Sequence, residues 1–230
     1  MGLIKVGWLT KSLPVLLGCI LFTGISTFAQ GDYLEKGQSG FQAGLNFATS
    51  EPGKSIGWDL GYSVDGALDF FFSTSRFSGN SYYHDLNSYA GEVILHVLNS
   101  GRYGTLEMPL SLSLGAAYVD EGNDVISSKI YVFSGCVYRN IVASPLVTLQ
   151  PNFALTYSWG TADQALGDHK FYEVDIDKFT TTMGFSLFHK SSSRFILRLD
   201  VGVNIDKDNN INTYFFRVGP MFVTLDKKLK

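Results

Sequence analysis

The sequence predicts an all-β fold, an antiparallel up-and-down transmembrane β-barrel of about ten strands. Apolar and polar residues alternate through most of the chain, as they do when strand side chains point to opposite faces. The clearest stretch, 105–118 (TLEMPLSLSLGAAY), has its large apolar residues at even positions. Its length of about fourteen residues exceeds the five or six of a common globular strand and suffices to cross a bilayer, which takes roughly 9–11.

The segment 1–29 has the pattern of a cleaved secretory signal peptide. Two lysines precede the apolar run 13–25, which is shorter than the roughly 17–25 residues of a spanning helix. Thr27 and Ala29 then supply small residues for a cleavage site before Gln30. We expect removal of 1–29, which leaves 30–230 as one outer-membrane barrel domain. An uncleaved anchor is the alternative.

Charge and cysteine content exclude several function classes. Removal of 1–29 deletes two lysines and no acidic residue, so the formal net charge changes from −3 to about −5. This balance gives no basic surface for nucleic acid. Cys136 would be the one remaining cysteine, so an exported chain without an intrachain disulfide needs a large core or a membrane.

Ten alternating segments follow one another as a simple meander, as in outer-membrane barrels. A turn cluster at 50–54 and the hairpin signal Asp65-Gly66 separate the first three. We expect longer polar connections after odd-numbered strands, with 161–172 the longest loop. The apolar rows run Phe41–Phe47, Ile56–Tyr62, Leu68–Phe72, Tyr89–Val97, Leu106–Tyr118, Ile130–Tyr138, Val147–Trp159, Phe179–Leu187, Phe195–Ile205 and Tyr214–Phe222.

Some residues depart from this pattern. Phe71 interrupts the alternation of the third segment. Pro109, Pro151 and Pro220 fall inside proposed strands, where each removes a hydrogen-bond donor, so we expect β-bulges there.

A secreted soluble β-sandwich is the main alternative, because its strands alternate too. Strand length and a non-apolar face of mainly Ser, Thr, Gly, Asn and Gln favour the membrane barrel. Aromatic residues near strand ends also resemble the girdles of outer-membrane barrels. They are Phe41, Tyr62, Tyr89, Tyr118, Tyr138, Tyr157, Trp159, Phe179, Phe195, Tyr214 and Phe222.

Three stretches make the chain resemble a known group: 40–47 (GFQAGLNF), the Asp65-Gly66 hairpin and 106–110 (LEMPL). They resemble the outer-membrane β-barrel domains of small bacterial envelope proteins, including PorT-like chains. The resemblance implies a bacterial outer-membrane location, with lipid and the outer-membrane assembly machinery as partners, and it brings no catalytic residue. The sequence 226–230 (DKKLK) replaces the terminal aromatic assembly signal of many such barrels, and we expect Phe222 to serve as the substitute.

If the apolar rows face lipid, charged residues of the other rows face the lumen. Opposite charges should pair there, because an unpaired charge in a low-dielectric space costs several kcal/mol. We expect a structural network that plugs the barrel, or charges solvated by lumen water. The inward charges are Asp59, Asp69, Glu92, Glu107, Lys129, Arg139, Lys178, Arg198, Asp200 and Arg217, and the candidate network is Asp59, Glu92, Glu107, Arg198, Asp200 and Arg217.

Ten strands predict a filled or narrow lumen, which favours a structural, binding or assembly role over a general porin. A narrow small-solute channel is the second hypothesis, and an enzyme with His84-Asp85 and Asp168-His169 at the rim is a third. We expect no enzymatic activity, cofactor or metal, because G-x-S-x-G, P-loop and C-x-x-C motifs are absent from the sequence. His96 should make a structural hydrogen bond on the inward row beside Glu92.

Overall fold

The computed structural model describes residue 34 and residues 37–79, 85–98, 109–121, 126–166, 170–206 and 211–226. Within them, no helix is long and apolar enough to cross a membrane. The strands are β1 (Gln38–Ser50), β2 (Gly53–Val64), β3 (Leu68–Gly79), β4 (Leu86–Leu98), β5 (Leu110–Asp120), β6 (Ile126–Tyr138), β7 (Ile141–Ser144), β8 (Val147–Leu166), β9 (Lys170–Lys190), β10 (Phe195–Asp206) and β11 (Ile211–Asp226).

The strands form one closed antiparallel sheet. Neighbours in sequence pair from β1 to β6 and from β7 to β11, and the pairs β1–β11 and β6–β8 close the ring. The four-residue β7 pairs with β8 in the same register as β6, so it continues β6 after a short interruption. Ten strands therefore make up the wall, and the predicted fold class is confirmed.

Residue parity along β2 separates an apolar outer face from a polar inner face. Ile56, Trp58 and Leu60 are 56%, 43% and 52% exposed, whereas Asp59 and Ser63 between and beyond them are buried. Two packed sheets would bury the apolar row, so the soluble-sandwich alternative is wrong. The outer face of β2 is apolar and its inner face is polar, which is the arrangement of transmembrane barrels.

β6 has the opposite parity to the one predicted. Ile130, Val132 and Tyr138 are buried in the lumen, and Lys129 and Arg139 are exposed on the outside. The prediction that Lys129 and Arg139 face inward, and that Tyr138 belongs to the outer girdle, is therefore wrong. Apolar residues occupy both rows of β6, so alternation alone did not identify the lipid face.

Several predicted boundaries also differ. β5 begins at Leu110, and 105–108 of the predicted strand lie outside the described residues. The predicted loop 161–172 is mostly strand, because β8 and β9 pair as far as Leu166 and Lys170. The interval between β4 and β5 is longer than those after odd-numbered strands, so the expected alternation of connection lengths is wrong.

The prolines do not produce bulges. Pro109 precedes β5. Pro151 and Pro220 leave gaps in the β6–β8 and β1–β11 ladders, but the register is the same on both sides of each gap. Register shifts occur instead at Ser39/Gly40, between His96 and Leu98, and between Val142 and Ser144. A missing donor here interrupts the ladder without inserting a residue.

Candidate functional site: the charge cluster in the lumen

The position of a lumen residue is described by the end of the barrel that it lies nearer to. The termini end carries the first residue of β1 and the last of β11, and the distal end carries the opposite strand ends. Buried polar side chains from β1, β2, β10 and β11 meet between these ends. We name this set, Gln42, Asp59, Arg198, Asp200 and Arg217, the lumen cluster.

Arg217 on β11 is the centre of the lumen cluster. Its Nε donates to Asp59 Oδ2 on β2 at 2.9 Å, and Nη2 donates to Oδ1 of the same carboxylate. This two-pronged geometry is the strong form of an arginine–carboxylate pair. Both side chains are almost completely buried, so the pair is well shielded from water.

Gly44 on β1 makes the Arg217–Asp59 pair possible. β1 lies between β2 and β11, and Gly44 is the register partner of Asp59. A Cβ atom at Gly44 would lie 2.6 Å from both Arg217 Nε and Asp59 Oδ2. The absence of a side chain therefore lets the guanidinium cross the intervening strand.

Asp200 on β10 joins the two arginines. It is the direct register partner of Arg217, whose Nη1 donates to Asp200 Oδ2 at 3.3 Å. Arg198 Nε donates to Asp200 Oδ1 at 2.9 Å. Both guanidiniums also reach the Gln42 amide oxygen, at 3.5 Å from Arg198 Nη1 and 3.4 Å from Arg217 Nη2. Two cations and two carboxylates thus form a formally neutral group.

β9 completes the surroundings of the lumen cluster. Ser186 hydrogen-bonds Asp200 from the neighbouring strand. The Arg198 guanidinium lies 5.3 Å from the centre of the Phe188 ring, within cation–π range. Phe188 also belongs to a buried apolar cluster with Leu34, Ile196, Met221 and Val223, which fills the termini end.

The structure brings four of the six predicted site residues together: Asp59, Arg198, Asp200 and Arg217. Glu92 is buried on β4 and hydrogen-bonds Ser113 of β5, so its contacts are on the other side of the barrel. Glu107 lies outside the described residues. Sequence reasoning missed Gln42 and Gly44, which have no charge to single them out.

Two further buried contacts between an acidic and a basic side chain lie apart from the lumen cluster. His96 Nε2 is 3.0 Å from Asp69 Oδ2, so the structural partner of His96 is Asp69 of the adjacent strand β3. Lys178 on β9 contacts Asp206 at the distal end of β10. Each pair joins neighbouring strands, so these charges pair along the wall of the barrel.

A cluster of apolar side chains lies in the distal half of the lumen, beside buried polar residues. The distal cluster consists of buried Phe77, Leu86, Ala90, Ala117, Val119, Ile130, Val132, Ala162 and Ile176. Phe71, which lies nearer the termini end, also points into the lumen, and a Cβ at Gly61 would lie 2.4 Å from its ring. The residue alternation predicts a mainly polar interior, and these buried apolar residues depart from that prediction.

The candidate catalytic histidines of the rim, His84 and His169, lie outside the described residues. Within the described ranges, no group of three or more His, Cys, Asp or Glu side chains could hold a metal ion. The lumen cluster itself has its carboxylates engaged by guanidiniums, so its chemistry is ion pairing and hydrogen bonding.

No protein-family model and no curated protein matches the sequence. Among solved structures, an outer membrane channel from Pseudomonas putida F1 has a TM-score of 0.51 at 11% identity, covering 84% of this chain and 98% of that one. The translocator domain of autotransporter NalP from Neisseria meningitidis has a TM-score of 0.47 at 14% identity, covering 93% and 96%. The chain has the fold of an outer-membrane β-barrel, with an apolar outer surface and a narrow, side-chain-filled interior.

Proposed function

We propose that the protein is an integral barrel of the bacterial outer membrane whose lumen is closed by side chains. It serves as a structural or binding component of the envelope, and 1–29 directs its export and is removed. Its partners are outer-membrane lipid and the assembly machinery.

The layered filling of the lumen is the observation that carries this proposal. Apolar clusters occupy the two ends, and the lumen cluster lies between them. A solute path would require opening of an apolar layer and separation of buried ion pairs. Breaking one such pair costs about 3–5 kcal/mol, so continuous diffusion is disfavoured.

Membrane fractionation with heat-modifiable gel mobility tests the location and the closed barrel. We expect the protein in the outer-membrane fraction, with a mobility that changes on boiling. Recovery in the soluble periplasm would contradict the proposal.

Planar-bilayer recording tests the closed lumen. We expect no stable conductance from the wild-type barrel, and small unitary steps from a Phe77→Ala, Ile130→Ala variant that removes volume from the distal cluster. Phe72→Ala, Tyr131→Ala, which changes outward-facing neighbours on the same strands, is the matched control. Steady wild-type conductance would instead establish the small-solute channel.

A further inference from the structure

A groove of about 460 Å³ lies at the distal end of β1, β2, β3 and β11, within the size range of ligand sites. Its wall includes exposed apolar side chains from the outward rows of three strands, and two cations stand beside them. We name this the distal groove and define it by Phe47, Ile56, Tyr214, Phe216, Lys54 and Arg76.

The two cations lie at the distal rim of the barrel wall. Lys54 is on the same outward row as Ile56, one step nearer the distal end. Arg76 is the direct register partner of Ile56 on β3. The turn between β1 and β2 consists of Glu51 and Pro52, so Lys54 lies close to the distal edge of the barrel wall. The charges therefore stand next to the apolar belt and not on a distant loop.

The charge of the distal groove differs from that of β9, two strands beyond β11. On β9, Glu173, Asp175 and Asp177 are exposed along one outward row. Arg76 pairs with Asp85 at 3.2 Å, but both side chains are more than half exposed. An exposed pair of this kind contributes little, so an anionic ligand can replace Asp85 at small cost.

We propose that the distal groove binds a membrane lipid whose headgroup carries phosphate. Lys54 and Arg76 contact the phosphate, and an acyl chain lies against Phe47, Ile56 and Phe216. Cations near a membrane surface attract anionic lipid, each strengthening the association roughly fivefold. This proposal rests on the proposed function, because the groove meets lipid only if the barrel is in a membrane.

Trp58 is a built-in probe of this site. It lies on the outward row of β2, next to Ile56 on the lipid side, and is 43% exposed. A full-length background with Trp8→Phe and Trp159→Phe leaves it as the sole tryptophan. The barrel is reconstituted in phosphatidylcholine nanodiscs that contain a minor fraction of brominated-chain phosphatidic acid or, separately, brominated-chain phosphatidylcholine.

We expect brominated phosphatidic acid to quench Trp58 at a lower mole fraction than brominated phosphatidylcholine. The half-quenching fraction should rise roughly fivefold for each of Lys54→Gln and Arg76→Gln. Lys129→Gln, an exposed outward cation on β6, should leave it unchanged. Asp85→Asn should lower it, because Arg76 then loses its competing carboxylate.

The outcomes separate this proposal from the one on which it rests. Equal quenching by both lipids, with Trp58 quenched in each, overturns the headgroup preference and leaves the membrane barrel intact. If neither brominated lipid quenches Trp58, the barrel did not insert into the membrane. That result overturns the proposed function and this proposal with it. If added inorganic phosphate changes the quenching of Trp58 and the lipid headgroup does not, the groove is a site for the free anion. That result would contradict the lipid proposal.

Discussion

Arg217 and Asp59 form a buried ion pair across a strand that neither belongs to, with Arg217 Nε 2.9 Å from Asp59 Oδ2. Gly44 of β1 provides the open space between them. We expect Gly44→Val to push the two groups apart and lower the free energy of unfolding by about 3–5 kcal/mol, the usual cost of breaking a buried pair. Urea unfolding in lipid vesicles measures it.

The control for this substitution is the next residue on the same strand. Ala43 belongs to the outward row of β1, so Ala43→Val introduces the same side chain on the lipid side. We expect a change below about 1 kcal/mol, as for typical surface substitutions. Equal losses for the two variants would contradict the role assigned to Gly44.

A double-mutant cycle tests whether Asp59 and Arg217 act as a pair. Asp59→Leu and Arg217→Met should each destabilise, because each leaves a buried charge without its partner. The double variant should lose less free energy of unfolding than the two single variants lose together, with a coupling energy of roughly 1–3 kcal/mol. Additive losses in equilibrium unfolding would show that the charges are solvated independently.

The exposed pair Arg76–Asp85 is the matched comparison for that cycle. Both side chains are more than half exposed, so its coupling energy should be about 0–1 kcal/mol. Raising the salt concentration should reduce this coupling and leave the buried one nearly constant, because screening acts mainly on exposed charges.

The lipid-facing row of β2 predicts a depth-dependent cost for charge. Leu60→Arg places a cation well inside the apolar band and should cost about 2–4 kcal/mol, whereas Val64→Arg at the strand end should cost about 0–1. Both residues are exposed on the same face, at 52% and 40%. Unfolding in vesicles measures the difference, and similar costs at the two depths would contradict the membrane position of β2.

Pro151 predicts a local gain in stability when it is replaced. Arg139 N donates to Pro151 O at 3.1 Å, but proline has no N–H to return a bond to Arg139. Pro151→Ala should supply that donor, join β6 to β7 and stabilise the barrel by roughly 0.5–1.5 kcal/mol. Hydrogen exchange should show slower exchange at Ile141, and unchanged exchange there would contradict the explanation of the strand gap.

Alternation was sufficient to predict the barrel wherever one row is purely apolar. On β10, Leu197, Leu199 and Val201 define the lipid row without ambiguity, and the inward charges Arg198 and Asp200 follow directly. On β6 both rows contain large apolar residues. The row of Ile130 faces inward, where it packs against buried apolar side chains of other strands in the distal cluster. The sequence of β6 alone does not contain that information.

The lumen cluster was predictable in its charges but not in its connections. Parity selects Asp59 and Arg217 as inward, yet the pair forms only because the ring closes between β1 and β11. No local pattern specifies the stagger at that closure. Gln42 and Gly44 contribute through position alone, so they carry no signal in a single sequence.

The β1–β11 pairing has a consequence for the order of biogenesis. Asp59 and Arg217 are separated by 158 residues, and Arg217 is in the last strand. A nascent barrel that still lacks β11 holds Asp59 without its guanidinium, and contacts so distant in sequence form slowly. Docking of β11 therefore neutralises a buried carboxylate as it closes the wall. Insertion of a chain without β11 is energetically unfavourable, because it buries Asp59 without a counter-charge.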